Sequence, residues 1–545
     1  MPKTAMRQTV AATLLTPALL APTAVHAASD AEIAELRAML ANMQAQYETR
    51  IGELEQRLAV AEQKAARAER VAGQAAGAGP SARSSTTARS AAAPVSRSMT
   101  AAVVHSSDTG TAAQTGGGVF GAMGAGNAFN PQISAILDGN YYHDDLDGAG
   151  SALVSEAFQA SSGQAHDHAD ADGDAHDHGH AHGTADNGFN FREAELSFSA
   201  TVDPYFDAAL YLAIDGDGNV ELEEGYFQTR ALPHGLRVKG GKFLSDFGYA
   251  NRQHPHEWDF VDQNLPYLNL LGVHGLQDTG LQLTWLPELP VYTLFGVEAL
   301  QGDQEVFGAT LSETEQSALN LDSTEDGPRL MTAFVKVAPE IGEHHALRLG
   351  ASYAYNRQQQ LVLEHVHAHD DGDDAHDEVP ALEDEIHSTG LEGDAILWGL
   401  DLVYKYDGAG AHGKGDFKLQ TEYLRSSKDL RIRASAHPEQ IGGSRRFVTD
   451  GLYAQALYGF APRWTAGLRY DVLGLTNEVR GGSGDDFGSS ERWTADVTWS
   501  LSEFSKLRAQ YAHNDILVAE NERERFDAFY LQFLMSLGSH GAHAF

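Results

Sequence analysis

From Asn130 onward the chain alternates apolar and polar residues with period two, and this constrains the fold more than any other feature of the sequence. Leu347, Leu349, Ala351, Tyr353 and Tyr355 fall on one face of a strand, with Arg348, Gly350, Ser352 and Asn356 on the other. Phe417–Tyr423, Trp464–Asp471 and Trp493–Leu501 repeat the pattern. Such alternation means that one face of each strand meets an apolar medium. Sixteen segments carry it: 132–142, 189–201, 205–214, 219–231, 235–245, 278–286, 290–300, 328–337, 345–356, 394–407, 415–426, 448–460, 462–472, 490–501, 504–513 and 525–538. Tight connections (Val202-Asp203-Pro204, Leu232-Pro233-His234, Pro287-Glu288-Leu289, Ala461, Leu501-Ser502-Glu503) alternate with long ones at 143–188, 246–277, 301–327, 357–393, 427–447, 473–489 and 514–524. Only Gly216-Asp217-Gly218 is short where a long connection is due. Short turns at one rim and long loops at the other are what an all-β transmembrane barrel produces, here of about 16 antiparallel strands over 131–545. An even strand count puts both ends of the barrel at the periplasmic rim.

The rest of the sequence is consistent with that reading. No apolar run approaches the ~18 residues of a membrane-spanning helix. Lys3 and Arg7, an Ala/Leu stretch and the Val25-His26-Ala27 ending make 1–27 a signal peptide, expected to be removed during export from a bacterial cytoplasm. Residues 30–71 carry apolar residues three and four apart (Ile33, Leu36, Leu40, Met43, Tyr47, then Ile51, Leu54, Leu58, Ala61, Ala65, Ala68), a coiled-coil seam with a stutter. Its partner is expected to be another copy of the chain, giving a homotrimer through a periplasmic coiled coil. Ala, Gly, Ser and Thr dominate 72–130, the composition of a flexible linker. In the last strand Phe529, Leu531, Phe533, Met535 and Leu537 face one way, and the terminal Phe545 resembles the closing aromatic of bacterial outer-membrane barrels. The expected partners are therefore outer-membrane lipid and, from the charge below, cations.

The net charge of −38 falls to about −40 without Lys3 and Arg7, which excludes nucleic acid as a partner. There is no cysteine, so a metal ion would have to be held by His and carboxylate. Eleven of the 25 histidines sit in two Asp-rich tracts: His166, His168, His176, His178, His180 and His182 in one, and His365, His367, His369, His376 and His387 in the other. Neutral imidazole with carboxylate is the donor set Zn²⁺ takes when thiolate is absent. The tracts are expected to be extracellular, disordered without metal, and to bind several ions weakly; a merely solvated acidic loop is the alternative. The connection from 246 to 277 differs, because Trp258, Phe260, Leu265 and Tyr267 must pack somewhere and the lumen is the available space. It resembles the constriction loop of general porins, with His254, His256, Glu257, Asp259 and Asp262 lining a narrow path for cations or merely packing as a lid. Lys239, Arg348, Lys418, Arg469 and Arg508 fall on lumen faces, so an acidic loop opposite a basic wall would set a field across a wet channel. No GxSxG, HExxH or Walker motif occurs, so no enzyme activity is expected.

Asn130-Pro131-Gln132-Ile133-Ser134, the Asp203-Pro204-Tyr205-Phe206 turn, Glu223-Glu224-Gly225-Tyr226 and the loop from His254 to Asp262 resemble a proteobacterial outer-membrane family. Its members are labelled zinc-regulated TonB-dependent outer-membrane receptors or porin-like proteins, and the resemblance implies zinc acquisition. The strand count, and the helix and linker ahead of the barrel, are more similar to trimeric porins with a periplasmic coiled coil. Taken together, the sequence is expected to encode a porin-like channel for divalent cations, zinc foremost. Zn²⁺ would be cargo or loosely bound rather than catalytic. A TonB-dependent metal receptor, and a non-transporting envelope tether and metal buffer, are the alternatives.

Overall fold

A computed structural model describes residues 131–161, 184–366, 386–481, 485–520 and 522–538. The described residues form a single antiparallel sheet of seventeen strands that closes on itself. Sixteen of them are staves. The other, β14 (Glu478–Arg480), is three residues long and pairs with 446–448 at the rim opposite the barrel's termini, the far rim. The first staves are β1 (Gln132–Asp144), β2 (Gly188–Thr201), β3 (Phe206–Ile214), β4 (Val220–Thr229) and β5 (Leu236–Leu244). The short β6 (Gln277–Trp285), β7 (Tyr292–Leu300) and β8 (Leu330–Ala338) follow. Then come the long β9 (His345–Val366), β10 (Ile386–Tyr406), β11 (Phe417–Ala434) and β12 (Ser444–Ala461). The wall ends with β13 (Trp464–Leu473), β15 (Ser490–Ser500), β16 (Ser505–Ala519) and β17 (Glu522–Gly538). β17 pairs with β1 from Ser134↔Gly538 to Asp144↔Ala528, so no described stave is left with an open edge.

The wall is inverted relative to a water-soluble protein. Large apolar side chains stand exposed on the outside, among them Leu281, Leu349, Leu400, Leu468 and Leu531. Buried positions one residue away hold Gln282, Arg348, Asp401, Arg469 and Gln532. Apolar residues facing out and polar ones facing in is the signature of a barrel solvated by lipid. Aromatic rings cluster toward the turn-bearing rim. Trp464 and Trp499 stack there at 5.4 Å with 4° between their planes, and Trp285 stacks on Phe295 at 5.6 Å.

Three expected long connections are shorter than the sequence pattern implies. β9 and β10 reach 22 and 21 residues, and β11 and β12 reach 18 each, so strand enters 357–393 and 427–447. β16 and β17 likewise run into 514–524. About 9–11 residues cross a bilayer. Beyond it nothing requires an apolar outer face, so the period-two signal fades at Gln358-Gln359-Gln360 and Arg425–Arg431 although strand pairing continues.

Two loops fold into the lumen. The loop from 245 to 276 carries helix α2 (Leu265–Leu271), started by Asn264, whose side chain accepts from the Tyr267 N–H at 3.0 Å, and by Pro266 in its first turn. Helix α1 (Gly150–Ser155), from the loop after β1, packs against it. Together they bring Val154, Phe247, Leu265, Tyr267, Leu270 and Leu271 into one buried apolar cluster with wall residues such as Tyr142 and Leu397. The segment 1–27, the coiled coil expected over 30–71 and the linker 72–130 lie outside the described residues.

Candidate functional site in the barrel lumen

The inward loop meets two walls of opposite charge. On one side its carboxylates face the basic wall. Asp259 takes the Lys418 ammonium at 2.6 Å and the Gln455 amide at 2.6 Å. Asp262 is held by Arg469 at 2.8 Å, Arg492 at 2.8 Å and Gln510 at 2.7 Å, and the same two arginines also grip Asp471. Backbone carbonyls of Gly248, Trp258 and Asp262 accept from Arg348, Arg508 and Arg469. Guanidinium groups also lie over aromatic rings, Arg348 over Tyr249 at 4.7 Å and Arg469 over Phe260 at 4.6 Å. Burial alone would raise the Asp262 carboxyl, but Arg469 and Arg492 bring it down to about 2. Asp259 is lowered against the same burial by Lys418.

On the other side the loop's imidazoles face an acidic wall. His254 Nδ1 lies 3.2 Å from Glu195 Oε2 and 3.3 Å from Glu223 Oε2, while its Nε2 donates to Glu224 Oε1 at 2.9 Å. His256 Nδ1 lies 3.1 Å from the same Glu195 oxygen. Tyr211 stacks on His254 at 5.0 Å, and the two imidazoles are 5.8 Å apart. Burial works against the imidazolium of both histidines. For His254, Glu195 and Glu223 outweigh it and raise the ring well above its ordinary value; for His256, Glu195 does so.

Two β-bulges build this acidic wall. Tyr211 pairs with Glu224 and Leu212 with Leu222, so Glu223 is an extra residue and two consecutive glutamates turn inward. On β2, Asp138 pairs with Glu193 and Gly139 with Phe191. That bulge lets Arg192 reach both Asp138 and the Val261 carbonyl while Glu193 stays buried. A cavity of about 560 Å³ reaches from the turn at 215–219 down to Glu223 and His254, with Arg192, Glu193 and Glu221 on its sides.

A third contact fixes the loop. The carboxylate of Glu422, on β11 and 1 % exposed, accepts from the Tyr249 N–H at 2.8 Å, the Ala250 N–H at 2.9 Å, the Tyr267 hydroxyl at 2.8 Å and the Tyr453 hydroxyl. Gly248 sits beside it with φ +63°, and a Cβ there would run into both Tyr267 and Glu422.

The expected loop residues thus separate. His254 and His256 converge on carboxylates, whereas Asp259 and Asp262 are neutralised by the basic wall and present no free charge to a passing cation. Loop and basic wall touch directly, so no water-filled gap separates them as a field across a wet channel would need. Glu257 lies between the two sets and is half-buried. Of the expected basic residues, Lys418 and Arg469 meet the loop's carboxylates, Arg348 and Arg508 meet its backbone carbonyls, and Lys239 lies over the Tyr226 and Phe243 rings. Of the eleven tract histidines, His365 and His387 fall on β9 and β10 as register partners. His166, His168, His176, His178, His180, His182, His367, His369 and His376 lie outside the described residues. Sequence reasoning missed Glu193, Glu195, Glu223, Glu224, Glu422 and Arg492. The signal for the first two was present: Glu193 and Glu195 are spaced by two in a strand with an apolar other face, and ionisable groups at membrane depth mark a lumen.

Among solved structures the chain is similar to several outer-membrane proteins. OmpT of Vibrio cholerae aligns with TM-score 0.41 and 10% identity over 75% of this chain and 97% of that one. The anion-selective porin of Comamonas acidovorans aligns with TM-score 0.41 and 11% identity over 75% and 99%. OpdK of Pseudomonas aeruginosa, solved with vanillate, aligns with TM-score 0.34 and 13% identity over 75% and 99%. No family model matches the sequence. An uncharacterized protein of Aquifex aeolicus is 31% identical over 426 residues, which are 77% of this chain and 80% of the relative. With that identity over that much of both proteins, the chain belongs to the family of the Aquifex aeolicus protein.

Proposed function

We propose that the protein is an outer-membrane channel of porin type that admits divalent metal cations, zinc foremost. The observation that carries this is the lumen itself: a closed barrel with a lipid-facing exterior whose interior narrows at a charged inward loop below an acidic cavity. An acidic entrance raises the local concentration of cations and repels anions. In this reading the two His/Asp tracts collect metal outside the barrel, and the segment 30–71 joins three copies in the periplasm.

The test is electrical. Purified protein in a planar bilayer under a salt gradient should conduct, with a reversal potential on the cation side, and Zn²⁺ should enter liposomes carrying the protein without any energy source. Absence of conductance would refute the channel and favour an envelope tether that buffers metal. Uptake in cells that collapses when the proton gradient is dissipated would favour an energised receptor instead.

A further inference from the structure

We infer that Glu195, Glu223 and His254 form a binding site for a divalent transition-metal ion at the foot of the outer cavity, with Glu193 and His256 supplying an adjoining set that shares Glu195. The inference deepens the channel reading and rests on it for its role, though not for its geometry.

Three buried carboxylate oxygens converge here without a well-formed hydrogen bond, although those of Glu195 and Glu223 lie at ion-pair distance from imidazole nitrogens. Glu195 Oε2, Glu223 Oε2 and Glu193 Oε1 are buried and accept no hydrogen bond, and their residues are only 2 %, 8 % and 5 % exposed. A buried carboxylate oxygen without a donor is costly. The two oxygens of the first set lie 3.2 and 3.3 Å from His254 Nδ1. In a tetrahedral site with metal–ligand bonds of ~2.0 Å, neighbouring ligand atoms stand ~3.3 Å apart. The ligand atoms of Glu195, Glu223 and His254 all lie within 4.8 Å of one another, and so do those of Glu193, Glu195 and His256.

The far side of the His254 ring is arranged to match. Its Nε2 donates to Glu224, whose other oxygen accepts from the Leu244 N–H at 2.9 Å. A carboxylate that takes one ring N–H fixes the tautomer and leaves the opposite nitrogen to face the ion, the usual outer-shell arrangement of a metal-bound histidine. Three protein ligands leave a fourth position open, and both Glu223 and His254 line the cavity that leads outward. A carboxylate shared by two adjoining sets lets an ion move between them without leaving Glu195. Conduction needs such neighbouring weak sites rather than one tight cage. Imidazole and carboxylate select Zn²⁺, Co²⁺, Ni²⁺ or Cu²⁺ over Ca²⁺ and Mg²⁺, which prefer all-oxygen sites.

The competing account is structural: His254 is an imidazolium that pairs with the glutamates and binds no metal. Full-length protein in detergent, with the eleven tract histidines replaced by Asn to remove background, separates the two accounts. It is stripped with chelator and titrated with Zn²⁺ by calorimetry and with Co²⁺ by visible absorption. The expected result is a saturable equivalent per chain with the visible band of four-coordinate Co²⁺. That band should disappear in His254→Lys, where the ammonium restores the ion pair, so the folded barrel is retained, and also in Glu195→Gln. Glu224→Gln should weaken binding about 10–100-fold. Heat-modifiable migration on gels checks that each variant folds. A tract-replaced protein that binds no Co²⁺, or binding that survives in folded His254→Lys, would overturn the site. Conductance is measured on the same preparations. Metal binding without conductance would sustain the site and refute the channel, and conductance without metal binding would do the reverse.

Discussion

Replacing Glu422 by alanine should release the inward loop from the wall while leaving the barrel closed. The carboxylate is the common acceptor for four donors: two loop amides, Tyr249 and Ala250, and two hydroxyls, Tyr267 and Tyr453. Hydrogen bonds to a charged acceptor contribute about 1.5–3 kcal/mol each, and a buried donor left without a partner costs about 1–3 kcal/mol. Water can enter the space vacated by the side chain, and desolvation of Glu422 offsets part of what the bonds contribute. The low end, about 1 kcal/mol for each donor, is therefore the appropriate figure. Tyr453 belongs to β12, so only three of these bonds tie the loop to the wall, and the loop then loses about 3 kcal/mol, roughly a hundredfold in its opening equilibrium at 1.4 kcal/mol per tenfold.

Hydrogen exchange on peptides covering 245–271 reads that equilibrium directly. Exchange should accelerate roughly a hundredfold there, with the ladder of β11 and β12 unchanged, because local opening does not require the staves to part. Glu422→Gln should fall between, since one amide oxygen serves some of the donors while its NH₂ opposes the others. Gly248→Ala should reproduce much of the effect, because its Cβ would displace Tyr267 and Glu422. The two changes should add less than their sum, since both act on one contact. If exchange in Glu422→Ala rises less than threefold, the carboxylate is not what holds the loop.

Three further outcomes follow from the same geometry. Asp262 has its folded value depressed from 3.8 to about 2, so its contribution of about 2 kcal/mol is present above pH 4 and fades as the pH falls toward 2; Trp258 fluorescence should report loop release near pH 2, and a midpoint near pH 4 would show that the arginines do not hold it. Deleting 162–183 and 367–385 should leave heat-modifiable migration intact while lowering the zinc retained at the cell surface, and a misfolded product would show that these segments belong to the barrel. Trp499→Ala removes the partner of Trp464 and should reduce barrel stability in urea by about 1–2 kcal/mol, from an aromatic pair and its apolar contact area; an unchanged midpoint would mean that neither the stack nor its contact area stabilises the barrel.

How far the sequence could be read follows from which medium each residue touches. Where a stave crosses lipid, its outer residues must be apolar, and segments such as 189–201 and 462–472 match β2 and β13 to within two residues. At Gln358-Gln359-Gln360 the strand has left the lipid and both faces are polar, so pairing across the sheet and side-chain hydrogen bonds to the 308–325 loop replace the apolar outer face. The three residues of β14 carry no pattern long enough to detect. The inward course of the 245–276 loop was legible because Phe260, Leu265 and Tyr267 have no aqueous place to go, and they are at most 1 % exposed.

What the sequence could not provide was the loop's second contact. Alternation puts one of any two consecutive residues outward, so Glu223-Glu224 cannot be read as two inward carboxylates without the bulge opposite Tyr211 and Leu212. The bulge itself depends on register with β3, a non-local property. Without it one of Glu223 and Glu224 would turn toward lipid, and His254 would keep Glu195 but lose one of its two partners on β4. With it, the loop is polarised along its length, imidazoles toward β2 and β4 and carboxylates toward β11, β13 and β15. Turning the loop the other way would set imidazolium against Arg469 and Arg492, and Asp262 against Glu195 and Glu223. Each of those like-charge contacts is unfavourable in a confined interior of low dielectric. Charge complementarity therefore fixes the loop's orientation as firmly as its apolar packing fixes its depth, and that orientation is what brings His254 to the foot of the outer cavity.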